Sequence, residues 1–221
     1  LTVQRTMAVP PVSPGDSWIA YEPISDTLTI ASEADFPGGH PFVVVDRATG
    51  EVRDLRNDDP GNLVVNPNAP IIYMSFFRRI SEVMAYNPQT NEIVGSAPAD
   101  ERIDRLAFDP ARNEVLLASP VNARVQRFDA DTLASKGHYG AVFGVRVITI
   151  DTTRNVMFVG SLATGEMGMV DMTTGRMLKT WYVGPWLRSI VVAPQRGVAY
   201  VSSRFGLYTV NYGEDAPAPS P

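Results

Sequence analysis

Apolar positions in this chain come in short runs, each closed by Gly, Pro, Asn, Asp, Ser or Thr. The stretch Val145–Trp186 shows the pattern most cleanly. Val147–Ile150, Val156–Val159 and Met167–Val170 are apolar, and Met177–Val183 is less so. Between them stand Thr152–Asn155, Leu162–Gly165 and Asp171–Gly175. Short β-rich runs punctuated in this way predict an antiparallel meander of four strands. No segment carries a helical period long enough to compete. A single four-stranded sheet cannot bury its own faces, so the pattern demands neighbours of the same kind.

The rest of the chain supplies them. The apolar residue closing the first strand of each unit recurs as Tyr21, Val65, Phe108, Ile150 and Val192, at a spacing of about 42 residues. A turn residue after the third strand keeps the same spacing: Asp46, Asn87, Asp129, Asp171 and Asn211. So does a hydroxyl ending the second strand: Ser32, Ser75, Ser119, Ser161 and Ser203. Pro23, Pro67, Asp109-Pro110 and Pro194 stop the first-strand ladders and start turns. Asp or Asn after the third strand suits an Asx-turn, completed by Thr49-Gly50, Thr90-Asn91 or Thr174-Gly175. About 40 residues per four-strand unit is the spacing of β-propeller blades.

Val198-Ala-Tyr-Val-Ser followed by Leu207-Tyr-Thr-Val-Asn resembles the YVTN-type β-propeller repeat. So does Val156-Met-Phe-Val-Gly with Met169–Gly175 and Val183-Gly-Pro. The resemblance runs from Trp18 to Tyr212. It implies an all-β propeller of four-stranded antiparallel blades, a binding or scaffold role outside the cytoplasm (periplasm or cell surface), and enzymes only as a minority. The expected blades are 18–61, 62–102, 103–144, 145–186 and 187–212. The last lacks an outer strand. Val3–Pro10 resembles Leu178–Pro185, the fourth strand of the preceding unit, so the N-terminal strand is expected to close a five-bladed ring. Residues 213–221 are Pro-rich and read as a tail or linker.

Composition narrows the chemistry. A length of 221 residues suits one large all-β domain. The net charge of −5 argues against nucleic acid as a partner. There is no cysteine, which removes thiol catalysis and thiolate metal sites. No transmembrane run is present; membrane association is expected only through a missing segment or a partner. The chain starts at Leu1 rather than Met, so a processed form is expected, with its targeting segment out of view.

Loops in a propeller alternate between two faces. The turns after first and third strands collect acidic and amide turn-formers such as Asp46, Asp109 and Asp171. The turns after second and fourth strands collect His40, Phe76, Phe77, Arg78, Arg79, Arg102, Trp186, Arg204 and Phe205, with Asp104, Arg146 and Arg188 at the channel mouth. Arg beside aromatic side chains is the composition of a recognition surface for carboxylate or phosphate. Mutual pairing of Asp104, Arg146 and Arg188 as a channel lining is the competing reading. The adjacent Phe76-Phe77 pair, in the most irregular loops, points to a contact. A protein partner or larger complex is therefore expected, with an anionic ligand as a further possibility.

Catalytic signals are thin. Only His40 and His138 exist, without a nucleophile elbow or Gly-rich phosphate loop, and neither a metal site nor a cofactor is expected. The alternative is a propeller lyase or lactonase using His40, Glu166 and Asp104 at the channel mouth.

Overall fold

The computed structural model describes residues 6, 17–32, 42–54, 60–76, 81–100 and 102–218. They form five antiparallel sheets in two compact units, Leu1–Ser96 and Ala97–Pro221.

The first unit holds two four-stranded meanders. One is built from β1 (Ser17–Glu22), β2 (Thr27–Ser32), β3 (Phe42–Asp46) and β4 (Val52–Asp54); the other from β5 (Pro60–Val65), β6 (Ile72–Phe76), β7 (Glu82–Asn87) and β8 (Glu92–Pro98). Ala31, Phe42 and Val44 of the first sheet pack on Leu63, Ile72, Met74 and Tyr86 of the second. The Phe42 and Tyr86 rings meet edge to face at 5.6 Å.

The second unit holds three meanders. The third sheet is β9 (Arg105–Asp109), β10 (Glu114–Ser119), β11 (Arg124–Asp129) and β12 (Ser135–Gly140). The fourth is β13 (Val145–Asp151), β14 (Val156–Ser161), β15 (Glu166–Asp171) and β16 (Met177–Tyr182). The fifth has three described strands, β17 (Ser189–Ala193), β18 (Val198–Ser203) and β19 (Gly206–Asn211). Residues 3–10, the expected fourth strand, lie outside the described residues apart from Thr6. Strands β10 and β14 are buried throughout, and for β14 the third and fifth sheets cover the two faces. One core joins the third and fourth sheets through Leu116, Val125, Tyr139, Met157 and Val159. Another joins the fourth and fifth through Phe158, Met167, Met169, Ile190, Val201 and Tyr212.

The repeat columns take the places that the hydrophobic pattern assigned. Each second strand closes at or one residue past its Ser, and each third strand closes on its Asp or Asn. The Asx-turns are present. Asp46 accepts the Thr49 N–H at 2.7 Å, Asn87 that of Gln89 at 2.8 Å, Asp129 that of Thr132 at 3.0 Å and Asp171 that of Thr173 at 2.8 Å.

A further column follows the closing residue of the first strand: Glu22, Asn66, Asp109 and Asp151, all buried. Each accepts a backbone N–H two residues on, from Ile24, Asn68, Ala111 and Thr153 at 2.7–3.0 Å. In the second unit this column also rivets neighbouring sheets. Arg112 pairs with Asp109 at 2.9 Å and reaches Asn155 of the fourth sheet. Arg154 reaches from Asp151 to the Pro194 carbonyl, and the Tyr212 hydroxyl donates to Asp151 at 2.7 Å. Burial, reinforced by this bond to a carboxylate, pushes the Tyr212 phenol well above its ordinary range. Past Gly213 the chain turns back: Ala216 packs on the last core and Lys179 holds Asp215 at 2.7 Å.

Candidate binding face

The end of the second unit opposite those rivets is built from two kinds of loop. One links second and third strands (120–123, 162–165, 204–205); the other links consecutive sheets (141–144, 183–188). Backbone hydrogen bonds stitch the two kinds together in a repeating pattern. Ala141 N–H donates to Ala123 O and Gly144 N–H to Pro120 O; one repeat later, Val183 donates to Gly165 and Trp186 to Leu162, all at 2.9–3.1 Å. Backbones approach closely here. A Cβ on Gly165 would lie 2.5 Å from the Gly184 carbonyl carbon, and one on Gly184 would lie 2.8 Å from the Phe205 ring. These loops are thus held rigidly, which suits a recognition surface.

Gly144 and Trp186 occupy the same place in successive repeats, and both are left-handed, with φ of 72° and 58°. Glycine adopts that conformation at little cost, whereas a bulky aromatic residue is an outlier there. The backbone geometry therefore does not explain Trp186. Its indole is 47% exposed, with the Arg188 guanidinium over the ring at 5.2 Å.

Trp186, Arg188, Ser203 and Arg204 line an open depression of about 440 Å³. Phe205, 65% exposed, belongs to the same loop as Arg204, and Phe143 is exposed in the loop linking the third and fourth sheets. No carboxylate among the described residues pairs with Arg188 or Arg204. Arg146 stands one repeat before Arg188 and has a different environment. It lies largely buried, with its Nε 3.5 Å from the Asp104 carboxylate of the preceding sheet. One column thus holds a paired cation at Arg146 and an open one at Arg188.

Of the residues singled out in the sequence, the structure brings together Trp186, Arg188 and Arg204, and separately Asp104 with Arg146. Arg102 is exposed on the strap leading into β9. Phe76 closes β6, its backbone opposite Pro60; its side chain, like His40, Phe77, Arg78 and Arg79, lies outside the described residues. Phe143, exposed beside Gly144, was not among the residues singled out in the sequence.

The acid–base alternative gains little geometry. His138 Nε2 lies 2.9 Å from Asp100, whose N–H donates to Gln126 at 3.0 Å. The cavity that these residues share with Ser119 and Arg124 holds about 10 Å³, room for a water molecule. Glu166 accepts a hydrogen bond from Thr164 at 2.9 Å as part of its turn. Among the described residues no cluster of His, Asp and Glu could hold a metal ion, and no helix is long and apolar enough to cross a membrane.

No protein-family model and no curated protein matches the chain. Solved structures do. Hydrazine synthase of Kuenenia stuttgartiensis aligns over 90% of this chain with a TM-score of 0.70 at 17% identity. A functionally unknown protein from Desulfotomaculum acetoxidans aligns over 93%, also at 0.70 and 17%. The Cps50 (Swd1) β-propeller domain of Myceliophteria thermophila aligns over 87%, at 0.66 and 11%. The chain spans 58%, 68% and 63% of those three chains. At such identities the likeness establishes the fold, which is all-β and of the β-propeller class.

Proposed function

We propose that this chain is a non-catalytic β-propeller module that binds a protein partner, as part of a larger assembly. One observation carries the reading: the depression where exposed Trp186 stands beside two arginines that have no carboxylate partner among the described residues, with Phe205 exposed next to Arg204. Trp and Arg dominate binding hot spots because each offers large, ordered contact area together with directional polar groups. An acidic protein whose described residues leave two cations open at one place is electrostatically complementary to an anionic group there. An enzyme would need converging acid and base groups at a cavity large enough for substrate. The described imidazole–carboxylate pair faces a water-sized one. We also place the module outside the cytoplasm, on the resemblance of Val198–Ser202 and Leu207–Asn211 to YVTN-type repeats.

Affinity purification from the native host tests the binding role. The double variant Trp186→Ala, Arg204→Ala should retain at least about tenfold less partner than the parent. Arg196→Ala, in the turn after β17, should retain it fully. Equal retention by the double variant and the parent would refute the reading.

A further inference from the structure

The chemistry of the depression also specifies what kind of group it takes, an inference that rests on the protein-binding reading above. Four backbone N–H groups around it are already engaged. Trp186 donates to Leu162 O, Arg188 to Ser202 O and Arg204 to Pro185 O, at 2.9–3.1 Å, and Phe205 donates to Ser203 Oγ at 3.2 Å. Sites that cradle phosphate lean on such N–H groups, turned outward at a helix N-terminus or in a backbone nest. Here they point into the protein. Donors for a guest come from the guanidinium groups of Arg188 and Arg204, helped by the Ser203 hydroxyl.

A guanidinium fork matches the two oxygens of a planar carboxylate. The Arg188 guanidinium also lies over the Trp186 ring at 5.2 Å, a cation–π contact that limits where the group can sit. Beside the cations, Trp186 and Phe205 offer exposed apolar area. A volume of about 440 Å³ accommodates two adjoining side chains but not a folded domain.

We infer that this site captures a short acidic–apolar segment of a protein partner. One Asp or Glu carboxylate lies between Arg188 and Arg204, and a neighbouring Leu or aromatic side chain lies against Trp186. The apolar group supplies contact area, and the carboxylate supplies register and selectivity.

Two fluorescein-labelled tetrapeptides, Glu-Glu-Leu-Phe and Gln-Gln-Leu-Phe, test this by anisotropy against the full chain. The Glu peptide should bind at least about tenfold more tightly, the scale of one charge-assisted bidentate contact. Arg188→Lys with Arg204→Lys keeps the charge but removes the forks, and should cost most of that advantage. Inorganic phosphate at equal ionic strength should compete no better than chloride. Equal affinity for the two peptides would overturn the carboxylate assignment, as would displacement by phosphate or unchanged selectivity in the Lys variant. If partner retention still depends on Trp186 and Arg204 in that event, the ligand class fails while the protein-binding reading stands.

Discussion

Trp186 is where residue-level physics and function diverge. Its left-handed backbone is the conformation that Gly144 takes one repeat earlier, and a side chain there costs on the order of 1–2 kcal/mol. Strain of this kind persists where the surroundings impose it and the side chain is needed. Trp186→Gly should therefore leave the melting temperature unchanged or raise it by a few degrees, while partner retention falls at least about tenfold. Calorimetry and affinity purification on the same variant check both halves. A lower melting temperature with retained binding would make Trp186 a packing residue instead. The clue was legible, since the two positions stand one repeat apart. Conformational strain, however, belongs to φ, which residue identity alone does not report. The contrast of Arg146 with Arg188 was legible in part: Asp104 precedes Arg146 in the same column, whereas Arg146 itself precedes Arg188.

Among the elements, the strands and their third-strand turns were readable because each turn is a local device. An Asp or Asn needs only the next two or three residues to form it. The buried column Glu22, Asn66, Asp109 and Asp151 was not recognised as a whole. An acidic residue at a strand end reads as solvated punctuation, and its burial depends on partners roughly 40 to 60 residues away. Asp151→Ala would remove the acceptor for Tyr212, Arg154 and two backbone N–H groups at once. It should cost about 3 kcal/mol in urea unfolding, since those buried groups lose their partner. A change below about 1 kcal/mol would show that these bonds are exchanged for water.

Strand β10 carries one part of the pH dependence. Burial alone would raise the Glu114 carboxyl, but Arg127, bonded to both of its oxygens at 2.7 and 2.8 Å, and Lys136 outweigh it and hold the carboxyl below its usual 4.5. A depressed folded value means that the unfolded chain binds the proton more readily. The contribution is thus complete above about pH 4.5 and fades as pH falls through the folded value. Asp46, Asp129 and Asp171, also lowered, act in the same direction; for Asp46 and Asp129 the chief cause is the hydrogen bonds of their turns, whereas for Asp171 those bonds outweigh burial. Chemical denaturation between about pH 6 and 3 should show stability falling with acidity, and Glu114→Gln should flatten that slope. A variant with the parental slope would remove Glu114 from the account.

For the whole molecule, the repeat made the fold readable: three residue columns at one period define sheets that must stack, and solved structures, a β-propeller domain among them, align over most of the chain. The binding face was readable only as a set of candidates, because alternation of loops sorts residues by side but not by pairing. Which cations are neutralised is decided in three dimensions, between sheets. The far face of the fifth sheet shows the same limit. Tyr200 and Leu207 are exposed, whereas their repeat equivalents Phe158 and Met167 in the fourth sheet are fully buried. Sequence likeness between repeats conveys shape without conveying what covers it.

The most direct test of the central claim is site-specific photo-crosslinking in the native host. Benzoylphenylalanine would replace Phe205 on the proposed face, and Gln195, in the turn after β17, in a second variant. The account predicts one partner protein crosslinked in high yield from position 205 and not from position 195. Crosslinking of that partner from position 195, with none from position 205, would contradict it.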